Sequence, residues 1–590
     1  IALGLLLAGL VHGGNALTAE YVHDDHPTVL DNVNVTWPPP VTQIFTTPWF
    51  GPKRGFATQG LSRPLVTLSY ALEAGLALES GGRHLVNLLL YGLVAGLVGL
   101  LVATLLYGKS EKLVSASAMV AVVLFAAHPL HTSSVLCVSY RPELLASAFA
   151  LLATLAFLHA VRGSRRAGVS AVVLLLLALW SKESAVTVLA PWFIWAWLHR
   201  RALADPSEET SDPISATGEA ATATSNGPQL APWVWPVAAT VVCGAWLAWR
   251  TTWLGTTPYV SAHDNPLAYV DFVPRMLGAL WLVAYAGQKL LWPFDLAPDE
   301  TFNALPVLSP SAGFVAIGGA TVLTLGALAF WDLRRSGPHQ GRLAVGIAWF
   351  AAGWLPVSHL LFPSTVLYAD RLLFLPSIAW LSGVAWLLGR ALVSARHLRV
   401  AGLALLLGLT LPWMSQSIAE GSHWRTGESL FLHGAEARPE SLRMRYNLGQ
   451  LRLDRGEAKA AVPDLAAAHA IDPSATAPWT LLVQAYTKLG QCKKTNTLMA
   501  EVSKLARQDD ATRKAGVDAD VLCKRYARAF AMGRGLRRVT VEWGRKVYVA
   551  GVAAGDPAAE TWARRFHKSP STSPPWVAAA VYGEQVTGRP

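Results

Sequence analysis

Two adjacent carboxylates, Asp24 and Asp25, stand in a short polar stretch with no basic neighbour to neutralise them, flanked by His23 and His26. A pair of this kind can divide base catalysis, one carboxylate taking a proton from an acceptor hydroxyl while the other orients it. A metal held by these four residues is not expected, because ligands adjacent in sequence rarely close around one ion. Further along, His128 and His131 frame a His-Pro-Leu-His run, suited to donating to phosphate or carrying protons, or simply to ending a helix at Pro129. Arg141 with Glu143, Lys182 with Glu183, and Asp370 with Arg371 place opposite charges beside apolar runs, where ionisable groups are costly and read as functional. Each of these pairs also reads as a structural ion pair holding a helix end. The sequence contains no glycine-rich phosphate loop, serine nucleophile elbow, paired-cysteine zinc motif or dinucleotide fingerprint. Any phosphate handled here is therefore met by Arg, Lys and His at a membrane border, which suits a lipid-borne phosphate.

The elements that position these groups are mostly membrane helices. Of 590 residues, 52% are hydrophobic and 15% charged, so much of the chain must contact something other than water. Apolar segments over 1–17, 84–107, 113–127, 135–160, 168–180, 184–198, 232–252, 272–292, 312–331, 343–361, 372–389 and 400–418 predict a polytopic bundle. Segment 1–17 reads as a first membrane helix: no basic stretch precedes it, and Thr18 to Glu20 is a poor cleavage site. The net charge of +11 reflects Lys and Arg in short loops, such as Lys109, Arg165, Arg200, Arg334 and Arg396, which the positive-inside rule assigns to the cytoplasm. It does not call for a nucleic-acid partner. Residues 18–83, His128 to Ser134, Lys182 and Glu183, Asp295 to Pro310, Pro363 to Arg371 and the chain beyond Trp413 then face outward. Parity fails once on this count, so an interfacial or re-entrant piece is expected between Trp253 and Trp292, leaving about eleven spans.

These segments divide the chain into a membrane module over 1–201, a disordered cytoplasmic linker over 202–231, and a second membrane module over 232–419. A soluble helical domain follows over 420–567, with a loose tail over 568–590. Leu448, Gly449, Gly456, Ala461, Ala468 and Pro473 occupy the positions of a 34-residue tetratricopeptide repeat, and Trp479, Leu482, Tyr486 and Gly490 open the next register. Residues 517–567 are basic and helical in pattern and suit a capping element. Cys137 and Cys243 fall in apolar segments. Cys492 and Cys523 lie in the soluble tail, where they pair if it faces an oxidising compartment and are otherwise two thiols.

Taken in order, YVHDDHPTVLDN at Tyr21–Asn32, SRPL at Ser62–Leu65 with Ser69-Tyr70, and HLVN at His84–Asn87 resemble the transmembrane and tetratricopeptide-repeat O-mannosyltransferases. So do HPLHTSSV from His128, YRPELLAS from Tyr140, SKESAVTVL from Ser181, ADRLLFLPS from Ala369, the Trp424 motif and YNLG from Tyr446. The chain departs from the family's pattern at Glu143, where Asp is usual, at Asp370, where Glu is usual, and in a short repeat array. The resemblance implies an all-α, GT-C type membrane glycosyltransferase. Its donor would be a polyprenyl-phosphate sugar such as mannose, its acceptor a protein or glycan hydroxyl, its outcome inverting, and no metal would be needed. Carried onto this chain, Asp24 or Asp25 is the base, and Arg141, Lys182 and Arg371 contact the lipid phosphate with help from His128 and His131. Glu143, Glu183 and Asp370 support them. The enzyme would sit in a bacterial inner membrane or an ER-type membrane, its repeat domain in the periplasm or lumen offering a surface to a protein acceptor or partner subunit. Two other functions are compatible with the residues: a non-catalytic scaffold recruiting partners through its repeats, and a transporter of lipid-linked saccharide. The second expects ionisable groups near mid-membrane rather than at helix ends.

Overall fold

Every apolar segment folds as helix in the computed structural model, which describes residues 1–50, 61–204, 231–254, 260–335, 340–502, 510–536 and 539–566. No strand occurs among the described residues. The chain divides into two units, Ile1–His433 and Gly434–Pro590. The boundary falls later than the expected 419/420 because the last apolar helix continues past residue 420 and is followed by a further helix that begins in the first unit. Most of the linker at 202–231 and all of the 568–590 tail lie outside the described residues.

In the first unit, α1 (Ala2–Ala16) leads into a loop carrying the short helices α2 (Val41–Thr46) and α3 (Pro64–Gly75). Next come α4 (Ser80–Leu105), α5 (Glu111–Ala127), the short α6 (Thr132–Leu136), α7 (Arg141–Ala160), α8 (Arg165–Ser181) and α9 (Leu189–Ala204). Small residues let α1 and α4 approach closely. A methyl group on Gly4 would meet the Gly92 carbonyl oxygen at 2.3 Å, and one on Gly96 would meet the Ile1 backbone at 2.6 Å. Between α7 and α9, Phe157 stacks on Trp192 at 4.6 Å, and Trp192 Nε1 donates to Thr154 Oγ1 at 3.1 Å, satisfying a polar handle inside an apolar contact.

The rest of the unit comprises α10 (Val234–Leu254), α11 (Phe272–Leu291), α12 (Ala312–Arg334), α13 (Arg342–Trp354), α14 (Phe374–Leu392), α15 (Arg396–His423) and the first part of α16 (Gly427–Ala437). Trp281, Tyr285, Trp354 and Tyr368 form its aromatic core. Among the described residues, five helices are long and apolar enough to cross a membrane, or six if the bent pair α5 with Pro129–Leu136 is one span. Two of the five have little protein cover: 6% of the apolar window of α12 and 17% of that of α15 are buried. Apolar surface left bare on this scale needs lipid, and the chain is a helical membrane protein. A bend of 56° lies at His128–Pro129, where the proline cannot continue the helix. In the region from Trp253 to Trp292, a 3₁₀ turn over Pro266–Tyr269 precedes α11, which is unbroken but is not among the helices long and apolar enough to cross.

The second unit, described by itself, is a series of helical hairpins. It runs through α17 (Leu442–Asp454), α18 (Ala458–Ile471), α19 (Thr476–Lys488), α20 (Cys492–Val502), α21 (Asp510–Leu522), α22 (Tyr526–Gly533), α23 (Val541–Ala553) and α24 (Ala558–Ala563). The signature residues have physical roles in this TPR-like region. Gly449 admits Leu465, which a methyl would strike at 2.5 Å, and Gly456 turns the chain with φ +85°. Trp479 is fully buried and donates to the Leu498 carbonyl at 3.1 Å. Cys492 and Cys523 are joined by a disulfide, which settles the alternative left open by the sequence.

Candidate active site

The two carboxylates of the first loop occupy opposite situations. Asp25 is fully buried, and both its oxygens are taken: Oδ1 accepts from Ser139 N at 2.6 Å and from Cys137 Sγ at 3.4 Å, and Oδ2 accepts from Val22 N at 3.1 Å. Asp24 keeps 33% of its side chain exposed and lies 3.2 Å from His23 Nδ1. They diverge because His23 adopts a left-handed conformation, φ +50°, and a π-helical turn over His26–Leu30 follows immediately. Non-glycine residues rarely hold that conformation unless their surroundings enforce it. The remaining motif residues supply the enforcement. Thr28 Oγ1 donates to the Asp24 carbonyl at 2.7 Å, and Asn32 Nδ2 to the carbonyls of Thr28 and Trp49.

Arg141 is the hub beneath this loop. Fully buried at the start of α7, it forms an ion pair with Glu73 of α3 at 2.5 Å. Its remaining donors reach Asn87 Oδ1 at 2.7 Å, Ser69 Oγ at 3.0 Å and the Arg83 carbonyl at 3.1 Å, and its guanidinium lies 4.6 Å from the Tyr70 ring centre. Burial pushes the Glu73 carboxyl up from its ordinary range, against the pull of Arg141. The Ser69-Tyr70 and HLVN motifs thus converge on one arginine. His84 and Asn87 also bond the Leu136 and Cys137 carbonyls, holding the turn that delivers Ser139 to Asp25.

None of the ion pairs expected between sequence neighbours forms among the described residues. Arg141 pairs with Glu73 rather than Glu143, while Glu143 pairs with Lys182 across α7 and the end of α8. Burial lowers the Lys182 ammonium below its usual value, and Glu143 opposes this. Glu183, which burial alone would raise, is held below the ordinary carboxylate range by Arg63 and its own backbone N–H. Asp370 turns away from Arg371 and accepts from Tyr368 O–H at 3.2 Å, within the field of Lys289 and Glu300. Arg371 is half-buried over the Tyr140 ring at 4.3 Å, and its guanidinium makes no hydrogen bond or ion pair among the described residues. Asp24 and Glu143 both lie within its electrostatic reach.

His128 and His131 do not face an outer loop. Both are fully buried at the 56° bend and bind across the bundle: His128 Nε2 contacts the Leu290 carbonyl at 3.2 Å, and His131 Nε2 contacts Ser377 Oγ at 3.0 Å. The other nitrogen of His131 meets Tyr91 O–H at 3.1 Å and the Phe125 carbonyl at 3.0 Å. Pro129 explains the correction, because a broken helix leaves backbone groups that buried side chains must satisfy. Sequence reasoning passed over Glu73, a lone acid in an otherwise apolar helix, and the buried Lys289–Glu300 pair at 3.3 Å. A full complement of partners for Arg141 required one more acid, and that was the available signal.

Among the described residues the arrangement defines a class: a polytopic helical membrane protein in which part-exposed Asp24, the Arg371 guanidinium with neither hydrogen bond nor ion pair, and the Lys182–Glu143 pair lie near helix ends. No family model matches the chain, and no solved structure matches it. It is similar to Protein O-mannosyl-transferase TMTC4 of Mus musculus, with 24% identity over 479 residues, 75% of this chain and 62% of that protein. It is also similar to Protein O-mannosyl-transferase Tmtc1 of Drosophila melanogaster, 29% identical over 296 residues, 49% of this chain and 33% of that one. Tmtc2 of the same fly is 35% identical over 185 residues, 30% of this chain and 19% of the relative. The chain spans less than two thirds of the length of these relatives. The resemblance carried by the motifs is thus a likeness over much of this sequence.

Proposed function

We propose that the chain is a membrane glycosyltransferase that moves a sugar, mannose by analogy with its relatives, from a polyprenyl-phosphate donor to a protein hydroxyl. In this reading Asp24 takes the proton as the hydroxyl oxygen attacks the anomeric carbon. The bond from that carbon to the phosphate oxygen breaks, its electron pair leaves with the lipid phosphate, and a single displacement inverts the centre. Arg371 receives the leaving phosphate, because its donors are not taken up by other side chains, and Lys182 contributes charge through its pair with Glu143. Asp25 holds the loop, and Arg141 braces it instead of meeting the donor. The observation that carries the reading is the contrast between a saturated Asp25 and a reachable Asp24 one residue apart.

The periplasm or lumen is the side we assign to residues 434–590. The Cys492–Cys523 bridge supports this, since such bridges persist in oxidising compartments. The TPR-like region would present the protein acceptor or a partner subunit. The test is transfer of radiolabelled mannose from polyprenyl-phosphate mannose to a Ser/Thr-containing peptide by the full chain in detergent. Transfer that disappears in Asp24→Asn supports the reading, and transfer undiminished in that variant refutes it. One observation favours the scaffold alternative in part: Arg141, His128 and His131 are wholly engaged in holding helices together. Absence of transfer by the wild-type chain would select it.

A further inference from the structure

Glu420 and His423 lie three residues apart on the last turn of α15, a spacing that puts both on one face. The chain then turns, and α16 brings back His433. The His433 ring stacks on that of His423, with centres 3.8 Å apart and planes 5° from parallel, and its Nε2 lies 3.2 Å from Glu420 Oε2. One ligand atom from each of the three residues falls within 4.8 Å of the others. The second carboxylate oxygen is not idle: it accepts from Nε1 of the buried Trp424 at 3.1 Å, the kind of outer contact that fixes a ligating carboxylate. Glu420 is nearly enclosed, at 5% exposure, while 19% of the His433 side chain reaches solvent, so the trio is reachable from one side.

We propose that Glu420, His423 and His433 bind one divalent cation of the zinc class, with the remaining coordination position open to water. Two imidazoles and a carboxylate are a donor set that zinc accepts readily. Parallel imidazoles at this separation repel when both are protonated, and a cation that replaces their protons removes that repulsion. The ion would act as a clamp and take no part in sugar transfer. It would tie the end of α15 to the middle of α16 beside the first loop, where Glu20 N donates to the Arg425 carbonyl at 2.8 Å and the Phe431 ring lies 6.3 Å from that of His23. The competing reading is a plain Glu420–His433 ion pair with His423 stacked upon it.

The experiment uses the full chain in detergent, stripped with chelator and titrated with Co²⁺, whose visible absorption reports tetrahedral or five-coordinate nitrogen and oxygen ligation. One equivalent should develop that absorption, and Zn²⁺ should abolish it by displacement. His423→Ala and His433→Ala should each remove it, and Glu420→Gln should weaken binding at least tenfold. Absence of absorption in the wild-type chain, or equal absorption in both histidine variants, overturns the proposal. A second measurement needs no variant: excess Zn²⁺ should raise the wild-type melting temperature in a concentration-dependent way, and an unmoved transition overturns the proposal equally. Neither readout depends on sugar transfer, so failure here leaves the assigned reaction untouched.

Discussion

The hub around Arg141 and the rim around Asp24 and Arg371 use the same residue types to opposite ends. In the hub the two central charges are spent: Arg141 has Glu73, Asn87, Ser69 and the Arg83 carbonyl, and Asp25 has Ser139, Cys137 and Val22. At the rim, Asp24 is exposed to one third and Arg371 has only an aromatic face beneath it. A group that must meet something new needs a face its fold leaves open, whereas a group that must not move is enclosed and bonded on every side. Charge and position at a membrane border do not separate these roles. Enclosure does.

That comparison can be broken in four ways. The largest effect is expected from Asp24→Asn, which should cut sugar transfer by about 10²–10⁴-fold, the range for loss of a general base, with the melting temperature unchanged. A matching loss of stability would move Asp24 into the hub. Glu73→Ala strands a buried guanidinium and should cost about 3–5 kcal/mol in detergent unfolding, with Glu73→Ala/Arg141→Met recovering part of it. An unaltered midpoint would show that the hub is not structural. Arg371→Lys keeps the charge but loses the planar donor fork, so donor KM should rise roughly tenfold while stability holds. The smallest effect concerns pH. Because burial lowers the Lys182 pKa, its charge is lost as pH rises through a value below the ordinary lysine range. Donor binding should therefore weaken on that alkaline limb, and Lys182→Arg, which keeps its charge, should flatten it. A limb identical in both chains would remove Lys182 from donor binding.

The helical segments were legible in the sequence because they rest on apolar length, and the first loop because its paired carboxylates have no basic neighbour; the bonds of Thr28 and Asn32 that close its turn were not. Ion pairing was not, and the reason is geometric. Arg141 and Glu143 stand two apart at a helix start, so their side chains point to different sides, and each must find a partner on another element. Lys182 is extended, φ −160° and ψ 136°, which turns it away from Glu183. Asp370 and Arg371 follow one another in a 3₁₀ turn, a step of about 120°, and they diverge likewise. The His-Pro-Leu-His run looked like a loop because proline and two histidines are polar punctuation in most chains. Here Leu290 and Ser377, far away in sequence, supply its partners. The cluster at Glu420 shows the same limit, since the spacing of Glu420 and His423 is visible in sequence but the return of His433 depends on a turn between two helices.

The glycine seam between α1 and α4 sets a reference level for everything above it. Backbones in contact at Gly4 and Gly92 leave no room for one helix to slide past the other without a collision. Slippage by a single turn, about 5.4 Å, would carry the loop that follows α1 out of register with the phosphate layer of a bilayer. In the proposed reaction, the depth at which Asp24 would meet a lipid headgroup is thus gauged by glycines on both sides of it in the chain, Gly4 and Gly92. A bulky residue at Gly4 should act like a shim, leaving the loop folded and its chemistry intact while holding it at the wrong height.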